Sequence, residues 1–221
     1  MNRTLGDDYF FNRISLKNCV SIEDVLKITR KKIQGLQDCY IHVQKNDVVT
    51  LNILRKLGAT KFGSMEIMSL QAELFSPNVS KNNISINSVS LDNLQLWIDV
   101  FCRSFGILNI KEEITKLSMG VFNSSIPIMA ICSDGRITSS VGCCTLFEKC
   151  GGMGLYCLGT LQEYRHMGVG TALVKACVGI ARTNGYNCIF VQTLVNEGLV
   201  KFYMNLGFKQ AYEKSIFVLN G

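Results

Sequence analysis

Proline is nearly absent, with two in 221 residues, and tryptophan and histidine are scarce at one and two. So little proline excludes a proline-rich linker, and 48% apolar residues exclude a disordered chain. No run of 18 apolar residues occurs, so no membrane-spanning helix is predicted. The ten cysteines form no Cys-x-x-Cys pair, and His42 and His166 lie far apart in sequence. Zinc-ligand spacing is therefore missing, and no metal is expected. Residues Met1 to Asp8 lack the apolar core of a secretory signal. Cys102, Cys132, Cys143, Cys157, Cys177 and Cys188 sit in apolar runs, where cysteine behaves as a small buried hydrophobe. Reduced thiols and a cytoplasmic location are the expectation.

Concentrated charge is lacking too. The net charge is +6, but residues 1–78 hold 11 basic and 8 acidic side chains and residues 79–221 hold 12 and 9, so each part carries +3. The densest run, Arg30-Lys31-Lys32, reads as the exposed end of a helix. A nucleic-acid surface needs more charge on one face with aromatics interleaved, so no nucleic-acid partner is expected.

What is present centres on Tyr164-Arg165-His166-Met167-Gly168-Val169-Gly170-Thr171. Before it, Gly154 to Leu161 reads as a buried strand; after it, Ala172, Leu173, Ala176, Cys177 and Ile180 recur at helical spacing up to Arg182. A strand that passes through a glycine-bearing turn into a helix aims backbone N–H groups at one point, where the helix dipole favours negative charge. Glycine at 168 and 170 permits positive φ and close approach of a diphosphate. A Walker loop is excluded because no lysine follows Gly170, and the dinucleotide fingerprint because 173 is not glycine.

Arg165-x-x-Gly168-x-Gly170 resembles the acyl-CoA loop of the GNAT superfamily of N-acyltransferases. Further on, Asn196, Leu199, Phe202, Tyr203, Gly207 and Phe208 match that family's Asn-to-Gly-Phe segment position for position. The resemblance is closest over 140–221 and looser over 79–140. It implies an α/β fold with a mixed central sheet flanked by helices, and acetyl-CoA as acyl donor for a primary amine of a small molecule or protein. It further implies that His166, Met167, Gly168, Val169, Gly170 and Thr171 receive the diphosphate, and that Leu158, Thr160 and Leu161 pair main-chain atoms with the pantetheine arm. The oxyanion donor is expected near Thr160 or Leu161. Arg165 is either a charge-assisted contact to the donor or a surface residue. Asn196 is a donor ligand, a helix cap, or both. Tyr203 is the residue implied to protonate the departing thiolate, against the plainer reading of a helix tyrosine packed on the sheet. Leu155 to Thr160 contains no carboxylate, so no general base is assigned, and a catalytically weak acyl-CoA-binding regulatory or scaffold module is the alternative function.

The first third reads as strand (8–16), helix from Ser21, strand (39–44), helix (47–57) and strand (65–70). Placing Leu57-Gly58 over Leu206-Gly207 sets Leu54 over Tyr203 and Ile67 over Ile216. Residues 1–78 are therefore expected to be a degenerate half-copy of the same fold, without a cofactor, preceding a GNAT domain at 79–221; two unrelated strand–helix–strand units are the plainer reading. The polar stretch Ser76 to Asn93 reads as the linker between them. Leu94, Trp97, Ile98, Phe101 and Phe105 form a helical apolar stripe, with Trp97 expected in the core.

Overall fold

The structure of the protein, a computed structural model, describes residues 13–16, 21–33, 38–75, 83–133, 138–149 and 151–220. In chain order the elements are β1 (Arg13–Leu16), α1 (Ile22–Ile33), β2 (Asp38–Gln44), α2 (Val48–Lys56), β3 (Thr60–Gln71), β4 (Ile84–Ser88), α3 (Leu94–Phe105), α4 (Lys111–Val121), β5 (Ile126–Ser133), β6 (Thr138–Lys149), β7 (Gly152–Thr160), α5 (Val169–Thr183), β8 (Cys188–Leu194), α6 (Leu199–Asn205) and β9 (Lys209–Asn220). This is the α/β class with a mixed sheet that the sequence predicts. Residues 8–12 of the expected first strand, Gly35, a plausible stop for the helix from Ser21, residues 76–82 of the expected linker, and Asp134-Gly135-Arg136, a hairpin-type turn signal, lie outside the described residues. The chain divides into two compact units, one of Met1–Met68, Gln192–Asn205 and Lys209–Gly221, the other of Ser69–Val191 and Leu206–Phe208.

In the first unit, α1 starts on a reciprocal cap. The Asp24 N–H donates to Ser21 Oγ and the Ser21 N–H to Asp24 Oδ2, both at 3.1 Å. Aspartate thus closes a box that usually takes Glu or Gln. α2 starts on Asp47, whose carboxylate accepts from the Thr50 N–H at 3.1 Å and from Thr50 Oγ1 at 2.7 Å. The core here is Ile14 and Leu16 of β1, Ile41 and Val43 of β2, Leu51 and Leu54 of α2, and Phe217 of β9. β1 runs parallel to β2, and β2 antiparallel to β9. The strand order is β1-β2-β9-β3, with β8 next beyond β3. The segments β2–α2–β3 and β8–α6–β9 therefore interlock: in each, the opening and closing strands are separated by the closing strand of the other. Each helix is followed by Leu-Gly with the glycine left-handed, Gly58 at φ 74° and Gly207 at φ 90°.

In the second unit, β4, β5, β6 and β7 form an antiparallel meander, and β8 adds parallel to β7. A turn of 3₁₀ helix at Leu91–Asn93 leads into α3, and Asn93 donates to Ser90 Oγ at 3.3 Å instead of capping the helix. α3 ends at Gly106, left-handed at φ 69°, with the Ile107 N–H bonded to Cys102 C=O at 2.9 Å. Trp97, Ile98 and Phe101 are buried, and burial of each such side chain stabilises by about 1.5–3 kcal/mol.

Two glycines decide how closely helices approach β6 and β7. A Cβ on Gly142 would lie 2.6 Å from Val169 Cγ1 and 3.1 Å from Leu173 Cδ1, both on α5. A Cβ on Gly159 would lie 2.8 Å from Ser104 Cβ and 2.9 Å from Phe105 Cε2, both on α3. Cys143 is the ladder partner of Gly159, and side chains alternate along a strand, so Gly142 and Gly159 face opposite sides. α3 and α5 accordingly cover opposite faces of β6–β7. Gly142→Ala should destabilise by about 1–3 kcal/mol through overpacking against a stiff valine. Gly120→Ala, in α4 where nothing lies within 4 Å of the added carbon, should stabilise by roughly 0.5–1 kcal/mol. Urea unfolding of both variants checks the pair.

Candidate active site

The site is built where β7 hands over to α5. The ladder between β6 and β7 pairs Cys143 with Gly159 but Thr145 with Tyr156, so Cys157 and Leu158 together oppose Cys144. That is a bulge of one residue on β7, and Cys157 takes up the strain with φ 55°. Trp97 Nε1 donates to Cys144 C=O at 3.0 Å, meeting a carbonyl at the point where the register shifts. On its other side β7 joins β8 only across Met153↔Ile189 and Gly154↔Phe190 among the described residues. From Leu155 onward that edge carries no ladder.

The cradle follows. Gly168 precedes α5 with φ 84°, and His166 is also left-handed at φ 63°. The helix's first backward bond runs from the Ala172 N–H to Gly168 C=O at 2.9 Å. The N–H groups of Val169, Gly170 and Thr171 therefore precede the first helical bond, at the positive end of a 15-residue helix. Val169 turns its side chain into the core, while Gly168, Gly170 and Thr171 are half-buried and Arg165, His166 and Met167 exposed. This arrangement fits an anion.

Two other residues are already engaged. The Leu161 N–H donates to Val141 C=O at 2.9 Å, and the Leu161 carbonyl accepts from the Tyr164 N–H. Of the two positions near which an oxyanion donor is expected, Thr160 and Leu161, the Leu161 N–H is engaged with β6; Leu158 and Thr160 are half-buried at the end of β7. Arg165 turns back on the protein: its Nη2 donates to Ser104 C=O at 3.2 Å and its Nε to Thr160 C=O at 3.4 Å. Beside it, Arg103 pairs with Glu163 at 3.0 Å, both half-exposed. These bonds tie the C-terminal turn of α3 to the lead-in of the cradle.

Tyr203 and Asn196 belong to the first unit. Tyr203 is 5% exposed on α6, its ring 5.2 Å from that of Phe202. Asn196 is exposed in the 3₁₀ turn Val195–Glu197, and Gly198, at φ 71°, immediately precedes α6, so Asn196 is not that helix's N-cap.

The family model described as "Acetyltransferase (GNAT) family" matches residues 96–208, more than half of the chain. The chain belongs to the GNAT acetyltransferase family. Solved structures of the same fold include a functionally unknown conserved protein from Staphylococcus epidermidis, with TM-score 0.74 and 17% identity, covering 100% of this chain and 89% of that one. A GCN5-related N-acetyltransferase from Sphaerobacter thermophilus aligns with TM-score 0.75 and 12% identity over 98% and 75%. A tandem GNAT protein from the clavulanic acid biosynthesis pathway aligns with TM-score 0.65 and 13% identity over 88% and 66%. No curated protein matches the chain.

Within this GNAT domain, sequence reasoning missed Gly159 and the Arg103–Glu163 pair, and it set Phe105 in the apolar stripe of α3, whereas the ring at the end of that helix is 48% exposed. An isolated glycine inside an apolar strand is the signal that marks Gly159, since it announces close approach of another element. The bulge residue carried no such sign, because cysteine is not a residue that favours left-handed backbone. Cys143, Cys144 and Cys157 are free thiols whose burial pushes them up, Cys157 to about 12. A raised thiol pKa means that the thiolate forms only in strong alkali, which argues against an acyl-cysteine intermediate. At pH 8 iodoacetamide should alkylate Cys157 about a thousandfold more slowly than free cysteine, as read by timed labelling and peptide mapping.

Proposed function

We propose that this protein is an acetyl-CoA-dependent N-acetyltransferase that acetylates a primary amine of a small molecule or protein. The observation that carries the reading is the left-handed Gly168 ahead of α5, with the Val169, Gly170 and Thr171 N–H groups unspent by the helix. These groups, with the turn from His166, hold the diphosphate of the donor. The open edge of β7 at Leu158 and Thr160 takes the amide-bearing arm, as one more strand would. Main-chain groups that the bulge at Cys157 and Leu158 releases from the β6 ladder stabilise the oxyanion. Leu161 closes that strand, its N–H bonded to Val141 C=O. Asn196 and Tyr203 follow from the family's second motif. The amine nitrogen attacks the acyl carbon, the C–S bond breaks, the thiolate takes the Tyr203 proton, and the amine gives its own proton to solvent. Arg165 acts through main-chain carbonyls.

The first 78 residues are a degenerate half-copy in this proposal, supported by the interlocked strands and the matching Leu-Gly turns. Leu54, which aligns with Tyr203, is fully buried in the apolar core. Lys17–Val20, aligned with the cradle, lie outside the described residues. The free thiols support a reducing compartment, the cytoplasm, and among the described residues no helix is long and apolar enough to cross a membrane.

A regulatory acyl-CoA-binding module is the second reading, favoured by carboxylates engaged elsewhere: Glu163 pairs with Arg103, and Glu148 accepts a hydrogen bond from Tyr186, raising that phenol's pKa. Titration calorimetry with acetyl-CoA should show binding, and free thiol should appear with at least one member of an amine panel; binding without thiol release selects the module. Tyr203→Phe should lower kcat by about 10²–10⁴-fold while thermal unfolding and donor affinity stay near wild type. An unchanged kcat removes Tyr203 from the mechanism.

A further inference from the structure

Trp97 is the one tryptophan of the chain, and a ring stack and a hydrogen bond fix its place. The ring lies on Phe101 with centroids 5.3 Å apart and planes 6° apart, and Nε1 donates to Cys144 C=O at 3.0 Å. Packing accounts for the ring. It does not account for the bond, because phenylalanine would continue the stripe of Leu94, Ile98 and Phe101 with no N–H to place. What the indole adds is a hold on the β6 residue that Cys157 and Leu158 together oppose.

The bulge needs such a hold. Cys157 stands at φ 55°, a conformation that costs any residue with a Cβ and persists only where neighbours over-determine it. Cys144 is gripped from both faces of the sheet: its Sγ lies 3.5 Å from Cys177 Sγ of α5, and its carbonyl meets Trp97 of α3. On the β7 side the Cys143 thiol lies 3.6 Å from Cys157 C=O. The main-chain groups at Cys157 and Leu158 are those assigned above to the oxyanion. Misplacing a group by about 1 Å at a reacting centre costs on the order of 10²-fold in rate.

We infer that Trp97 is a positioning residue: its N–H, by holding Cys144 C=O, sets the direction in which the bulge presents main-chain groups to the acyl carbonyl. The inference rests on the N-acetyltransferase reading and adds to it a side chain that acts through the backbone. Position 97 is to carry 3-benzothienylalanine, an isostere with sulfur in place of the N–H, or 5-fluorotryptophan, which keeps the N–H. Trp97→Phe is the genetic counterpart. Thiol release from acetyl-CoA is measured at saturating donor on every amine that the wild type accepts, well below the unfolding temperature of each protein, with donor affinity taken by calorimetry. The isostere and Trp97→Phe should lower kcat about tenfold or more, by the same factor on every amine and with donor affinity unchanged. The 5-fluorotryptophan protein should keep the wild-type kcat. An unaltered kcat in the isostere overturns this inference alone. So does a loss that differs among amines, which makes Trp97 an acceptor contact, or a loss carried by donor affinity, which makes it a donor contact. Failure of the isostere to fold also overturns it, since the bond then serves the fold. Absence of thiol release by the wild type on any amine overturns the enzyme reading and this inference with it.

Discussion

Two helices press on the same pair of strands from opposite sides, and they do so because Gly142 and Gly159 offer no side chain to keep them away. That constraint sets the site. α5 sits close enough to β6 for Val169 and Leu173 to pack over Gly142, which fixes where the helix's N-terminal N–H groups point. α3 sits close enough to β7 for Ser104 to offer its carbonyl to Arg165 and for Phe105 to overlie Gly159. Movement of either helix by the width of a methyl group would shift the cradle or the aromatic ring, and interiors packed to native density do not yield that freely.

The bulge on β7 works against this rigid background. One additional residue, held with left-handed backbone at a cysteine, costs on the order of 1–2 kcal/mol that glycine would avoid. The neighbouring contacts over-determine it: Trp97 reaches the opposite carbonyl, and the Cys143 thiol lies 3.6 Å from Cys157 C=O. Burial keeps these thiols protonated. They act as shape, and in the proposed reaction the main-chain groups of the strand carry the chemistry.

Much of this was legible in the sequence. The glycines of the cradle, the strand before it and the periodic helix after it stand where a turn with positive φ requires them, and the stripe Leu94, Trp97, Ile98, Phe101 marks the buried side of α3. The helix expected from Ser21 begins there, on a cap that Ser21 shares with Asp24. Other features left no local trace. Strand exchange between β2–α2–β3 and β8–α6–β9 is a matter of pairing between remote segments, and the alternation of apolar residues does not name a partner. The pairing of Glu163 with Arg103 joins residues 60 positions apart. The use of Leu161's N–H by Val141 depends on a register that a bulge has already shifted. Periodicity tells which face is buried; it is silent on which hydrogen is taken.

The interlocked strands also bear on how the chain reaches its native state. β9 lies between β2 and β3, and its ladder joins Asp38 to Asn220. Closing so long a loop costs entropy before any contact repays it, which places this pairing late in folding. A nascent chain emerging from the ribosome would hold β2 and β3 with unmet backbone edges until residues 209–220 were made, a state that chaperones recognise and that aggregation exploits.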